Sequence, residues 1–214
     1  MSRYDSLWTE KEQEMNARTL WDDIYRSIYP LANTRRVSEA SSELDKMLDT
    51  EAHIDLHLIL ETGEEISAQE KALSYEFNGF NTITIEFFNN YPNKWDLGDY
   101  FLCKAQIYCC GYLNYDNTGF CKWWIIDMIK LREVILDNGG IAWVIKFWKK
   151  NVGNKNADFL ALPVGYIWDA VIHGYDNKKP LIHPYYEALN NKDIPEDILC
   201  QVVEMAKRQQ CILA

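Results

Sequence analysis

The chain has 214 residues, 48% hydrophobic and 25% charged, a globular balance that excludes disorder, collagen-like repeats and coiled coil as overall classes. No apolar run approaches the ~18 to 20 residues of a membrane span, and the start MSRYDSLWTEKEQEM has no basic segment followed by an apolar one, so the expectation is a soluble cytoplasmic protein with no membrane partner. A formal charge of -10 excludes a chain that is basic throughout, but residues 1–70 carry sixteen acids and seven bases whereas residues 71–214 carry sixteen acids and fifteen bases.

In chain order, Leu7, Trp8, Met15, Leu20, Trp21, Ile24, Tyr25 and Ile28 recur at roughly helical spacing, which predicts one or two amphipathic helices closed by Pro30. Residues 31–42 read as a loop, with Ser42 capping a short helical turn. From His53 to Leu60, Ile54, Leu56, Leu58 and Leu60 alternate with His53, Asp55, His57 and Ile59, as in a strand. Thr62-Gly63 supplies a turn and Glu65 to Leu73 a returning strand. Thr82 to Phe88 reads as a third strand, so that the three form an antiparallel meander.

Tyr100 to Leu113 reads as a buried helix, Lys122 to Met128 as a strand, and Ile129 to Leu136 as a helix ended by Asn138-Gly139-Gly140. Ile141 to Trp148 fits strand or helix, Asp158 to Pro163 a short strand, and Tyr166 to His173 a helix; Pro195-Glu196-Asp197 opens a terminal helix to about Arg208. The sum is a single α/β domain: a helical segment over 6–30, a core over about 43–173, and a C-terminal helix over about 195–208. Its centre is a mixed sheet with an antiparallel meander, flanked by helices.

Six cysteines show neither a CxxC pair nor zinc spacing, so reduced thiols are expected, with Cys109 and Cys110 as small core residues. The bases of the later part cluster at Lys146/Lys149/Lys150/Lys155, Lys178/Lys179 and Lys207/Arg208. The first cluster is interleaved with Trp143, Phe147 and Trp148, a pattern that suits a nucleic-acid surface and equally the solvated edge of an amphipathic element.

The segment HIDLHLILETGEEISAQEK concentrates the chemistry. Asp55 lies inside an apolar strand, where a charge needs a partner or a metal, and Gln69 and Lys71 share a face of the returning strand. A carboxylate, a second oxygen ligand and an ammonium suit phosphodiester hydrolysis, in which a hard cation polarises the phosphoryl oxygen and a lysine orients water. The bland alternative is a cross-strand ion pair between Asp55 and Lys71 on a wet face. His53, Asp55 and His57 alternate on one strand about 7 Å apart, too far for joint chelation, so His57 is a candidate relay beside the site and His53 a structural residue. His173 and His183 have no identifiable partner.

With Asp55 and Gln69-Glu70-Lys71, the chain resembles the PD-(D/E)xK nuclease superfamily, of restriction-endonuclease-like fold, including phage and bacterial members. The resemblance is strict over residues 53–71 and loose over 10–115. It implies a metal-dependent DNA nuclease, with Mg²⁺ or Mn²⁺ held by Asp55, Gln69 and the backbone carbonyl of Glu70, and with Lys71 positioning the attacking water. Gln69 departs from the family's usual Asp or Glu and lowers the expected metal affinity. Glu86 on the next strand is a reserve ligand, and a helical acid of the family corresponds to Glu14, Asp22 or Asp23. The competing expectation is a catalytically decayed module that binds nucleic acid or protein, its acidic first third a partner surface or DNA mimic. Many members of the superfamily cut as dimers, which allows a homodimer here.

Overall fold

The computed structural model describes residues 3–37, 42–90, 95–150, 157–175 and 178–182, with 200 and 204; side chains of the first helix are described from Met15 onward. The chain divides into two compact units, one of residues 1–80, 104–126 and 172–178, the other of residues 81–103, 127–171 and 179–214.

The first unit opens with helix α1 (Arg3–Ile28). Ala17, Trp21, Ile24, Tyr25 and Ile28 recur three and four apart and make one apolar stripe, of which Ala17, Trp21 and Tyr25 are fully buried. Pro30 disfavours helical geometry at Tyr29, where the helix stops. The chain then forms β1 (Leu31–Arg36), α2 (Glu43–Glu51), and the hairpin of β2 (Leu56–Leu60) and β3 (Glu65–Leu73). The expected cap is present: the Asp45 N–H donates to the Ser42 hydroxyl at 3.1 Å. Gly63 turns the hairpin at φ +85°, a value glycine adopts without steric cost.

Strands β6 (Ile107–Leu113), β7 (Phe120–Asp127) and β10 (Val171–Gly174) complete a six-stranded sheet of order β1-β2-β3-β6-β7-β10. β1, β2 and β3 pair antiparallel and β3 pairs parallel with β6, so the sheet is mixed and contains an antiparallel meander. α1 lies on one face of it, where Trp21 and Tyr25 pack with Leu56, Leu58, Ala68, Ile107, Cys109, Leu113 and Ile125. Each such leucine or isoleucine contributes about 1.5 to 3 kcal/mol by leaving water.

The second unit holds an antiparallel sheet of order β5-β4-β9-β8, from β4 (Thr82–Asn90), β5 (Trp95–Leu97), β8 (Trp148–Lys149) and β9 (Ala157–Pro163). Its helices are α3 (Asp99–Leu102), α4 (Met128–Asp137) and α5 (Ile141–Val144). Gly98 is required by close packing, since a Cβ there would lie 2.6 Å from the backbone carbon and oxygen of Glu86.

Four expectations are corrected. The meander uses β1, read from sequence as a loop, and not Thr82–Phe88, which lies in the other sheet. Tyr100–Leu113 is not one helix: α3 ends at Leu102 and β6 follows. Tyr166–His173 is a turn, a short 3-10 segment at Trp168–Ala170 and β10. Ile141–Trp148 breaks into α5, a 3-10 turn at Ile145–Phe147 and the start of β8. The terminal helix over 195–208 lies outside the described residues except for Cys200 and Glu204, both helical. Among the described residues, no helix is long and apolar enough to cross a membrane.

Candidate functional site

The β2–β3 hairpin places the motif residues. Leu56 pairs with Ala68 and His57 with Ser67, and side chains alternate along each strand. Ala68 and Glu70 therefore face α1, while Ser67, Gln69 and Lys71 face the other way. The sequence groups Gln69 with Lys71, and the structure keeps them on one face. The Gln69 side-chain oxygen is buried there without a hydrogen-bond partner.

Asp55 sits where β2 leaves the sheet. Its N–H donates to the Ala68 carbonyl at 2.9 Å, and its carboxylate accepts the Glu70 N–H at 2.6 Å. In a continued ladder that N–H would go to a main-chain carbonyl upstream of β2. Here the chain has turned away: His53 has φ +49°, and the Ile54 N–H goes to Leu48 of α2 at 3.1 Å. The Asp55 carboxylate thus replaces a backbone acceptor at the middle residue of the Gln69-Glu70-Lys71 triplet. The charge that the apolar strand made conspicuous has a backbone partner, a charge-assisted hydrogen bond. Because the N–H and C=O of one strand residue point the same way, the Glu70 carbonyl faces this side too.

On the α1 face, the Glu70 carboxylate is the centre of a second arrangement. It accepts from Arg36 at 2.8 Å and from the Tyr25 hydroxyl at 3.0 Å. Arg36 also donates to Asp22 at 2.8 Å and to the Arg18 carbonyl at 3.0 Å. The Arg36 and Glu70 side chains are each 9% exposed. Burial pushes the Glu70 carboxyl up to about 7, and Asp55 adds to the rise, while Arg36 and the Tyr25 hydrogen bond oppose it. Burial pulls the Arg36 guanidinium down, but Glu70 and Asp22 more than offset that and leave it above its ordinary value. Burial likewise raises Tyr25 and Cys109.

The remaining candidates scatter. Of the three helical acids, Asp22 binds Arg36, Asp23 pairs with exposed Arg26 at 3.4 Å, and the Glu14 side chain lies outside the described residues. Glu86 is on β4, in the sheet of the second unit, so strand adjacency does not bring it to Asp55 as the meander reading expected. His57 shares the face of Gln69 and Lys71, but its Nδ1 lies 3.4 Å from Glu65. Burial, then Arg35, lower its pKa against Glu65 and Asp45. His173 stands edge-on to Tyr29, ring centroids 5.7 Å apart.

Lys146 and Lys150 are exposed and Lys149 is half-buried, whereas Phe147 is buried and Trp143 packs against Phe147 and Tyr166. The aromatics of that cluster thus pack inward, whereas an open stacking platform would expose them. Lys155, Lys207, Arg208 and His183 lie outside the described residues.

Sequence reasoning missed Arg36 and Tyr25. Tyr25 was legible as one of the apolar stripe, but nothing near Arg36 pointed to a residue thirty-four positions away. Among the described residues, no group of three or more His, Cys, Asp or Glu side chains is arranged to hold a metal. The donors present are a carboxylate, a buried amide oxygen without a partner and a backbone carbonyl, all hard oxygens of the kind Mg²⁺ takes, with one formal charge among them. Comparison with protein-family models, with curated proteins and with solved structures finds no match to this chain.

Proposed function

We propose that the chain is a metal-dependent nuclease that hydrolyses phosphodiester bonds of DNA, related to the PD-(D/E)xK superfamily that its motif resembles. The observation that carries the reading is the Asp55 carboxylate bonded at 2.6 Å to the amide of Glu70, which fixes the acid on the triplet holding Gln69 and Lys71. The partnerless buried oxygen of Gln69 supports it further.

In this reading Asp55, Gln69 and the Glu70 carbonyl hold Mg²⁺ or Mn²⁺, which when bound supplies Lewis acidity toward a phosphoryl oxygen. Lys71 orients the attacking water and offsets charge that develops on the phosphate. The water's oxygen bonds to phosphorus, the bond to the leaving sugar oxygen breaks, and that oxygen takes up a proton. The proposal places the protein in the cytoplasm, where Mg²⁺ and DNA are available and buried thiols such as Cys109 and Cys110 stay reduced.

A second reading has its own support. Gln69 is neutral, and the carboxylates of Glu70 and Asp22 are engaged by Arg36, which leaves Asp55 as the one acid on the motif's ligand set. That is the composition of a catalytically decayed, partner-binding module, with the acidic first third as its surface. Titration with Mn²⁺, followed by its electron paramagnetic resonance, separates the two. The nuclease reading expects binding that Asp55→Asn weakens by roughly tenfold or more. Wild-type protein with no measurable Mn²⁺ binding would favour the decayed module.

A further inference from the structure

We propose that Arg36 is a positioning residue for the Asp55, Gln69 and Lys71 site, acting through Glu70 from the opposite face of the sheet; the inference rests on the nuclease reading above. Glu70 is the residue between Gln69 and Lys71, and its two ends do different things. Its amide holds the Asp55 carboxylate at 2.6 Å. Its side chain is seized on the α1 face by Arg36 at 2.8 Å and Tyr25 at 3.0 Å. Arg36 is in turn fixed to α1 through Asp22 at 2.8 Å and the Arg18 carbonyl at 3.0 Å. One guanidinium therefore ties α1, β1 and β3 together at a residue whose amide holds the Asp55 carboxylate.

Stability alone does not require this arrangement. The surroundings are apolar, with Tyr25, Leu56, Ala68 and Cys109 all fully buried, and a buried ion pair there is often replaceable by packed hydrophobic side chains at no net loss. What apolar packing specifies poorly is position along the strand. A one-residue slip of β3 would turn Glu70 outward and drive Gln69 or Lys71 against α1. The guanidinium donates to a carboxylate and repels an ammonium, so the clamp opposes the slip that would set Lys71 against α1 and helps keep Lys71 on the outward face.

Three variants test this: Arg36→Met/Glu70→Leu, which removes both charges together; Glu70→Gln, which keeps an acceptor for Arg36 and a polar contact for Tyr25; and Arg36→Lys, which keeps the charge but cannot reach Glu70, Asp22 and the Arg18 carbonyl at once. The readouts are hydrogen exchange of the residue 70 amide in the metal-free protein, and kcat and KM for Mn²⁺-dependent DNA cleavage. The double variant and Arg36→Lys are expected to exchange that amide roughly tenfold faster while core amides such as that of Ile125 stay protected. They are expected to lose roughly tenfold or more in kcat with KM nearly unchanged, whereas Glu70→Gln is expected to keep the residue 70 amide protected.

Wild-type kcat and protection in Arg36→Lys would overturn the proposal, as would a Glu70→Gln protein whose residue 70 amide exchanges as fast as in the double variant. If the double variant does not fold, the two single variants decide between the same outcomes. A wild-type protein that cuts no DNA removes the nuclease reading and this inference together, whereas a cutting wild type beside an unimpaired Arg36→Lys removes the inference alone.

Discussion

Replacing Arg36 by methionine removes the counter-charge of a carboxylate whose side chain is 9% exposed, while keeping most of the apolar stem. Removing one partner of such a buried pair costs about 3 to 5 kcal/mol. At about 2 to 4 °C per kcal/mol for a chain of this size, the melting temperature should fall by roughly 6 to 20 °C. The loss depends on pH, and its sign follows from Glu70. The folded carboxyl is pushed up to about 7 from an ordinary 4.5, so the native state binds the proton more tightly than the unfolded chain. Stability contributed by this group is full below the unfolded value and is lost as pH rises through the folded one. Without Arg36 the main force opposing the rise is gone, and the carboxyl of the variant moves further up. At pH 5 Glu70 is then protonated and the variant lacks mainly hydrogen bonds, about 1 kcal/mol each. At pH 8 the variant must either bury an uncompensated charge or hold a proton against the pH, and both cost more than at pH 5. Thermal unfolding followed by circular dichroism at pH 5 and pH 8 measures both deficits. A deficit at pH 8 equal to or smaller than that at pH 5 would refute the reasoning.

Two further substitutions test the fold around the site. Gly98→Ala sets a methyl group 2.6 Å from the Glu86 backbone, which cannot yield as a side chain would, and should cost about 1 to 3 kcal/mol or more in urea unfolding; an unchanged midpoint would show that β4 shifts freely. Asp127 caps α4 by accepting from the Ile129 and Lys130 N–H groups at 2.9 and 3.0 Å, so Asp127→Ala should lose about 0.5 to 2 kcal/mol while Asp127→Asn loses far less.

How far the sequence revealed these features depended on burial. The β2–β3 hairpin was legible because β2 buries Leu56 and Leu58 while His57 and Ile59 stay half-buried, which leaves a period of two. β6 is buried at every position from Ile107 to Leu113, so its pattern has no alternation, and a run of small and aromatic residues passed for a buried helix. β1 failed for the opposite reason. As an edge strand of composition LANTRR it buries none of its residues fully, and its identity comes from pairing with β2.

Thr82–Phe88 was recognised as a strand, part of β4, but adjacency in sequence suggested the wrong sheet, since its main partner β9 begins 67 residues after the end of β4 at Asn90. Within the site, period-two spacing was enough to group Gln69 with Lys71. The departure of β2 at Asp55 was hidden, because a carboxylate that stands in for a backbone acceptor leaves no periodic trace. The Arg36 clamp was hidden as well, since contacts between residues far apart in the chain have no signature in one sequence.

The nuclease reading is tested most directly by cleavage of linear, circular and single-stranded DNA by the purified protein with Mg²⁺, Mn²⁺ or EDTA, run beside Lys71→Ala. Metal-dependent cutting is expected, abolished by EDTA and lowered by about two orders of magnitude or more in Lys71→Ala with the fold intact. Cutting that survives Lys71→Ala unchanged, or a wild-type protein that cuts none of the three substrates, would contradict that reading.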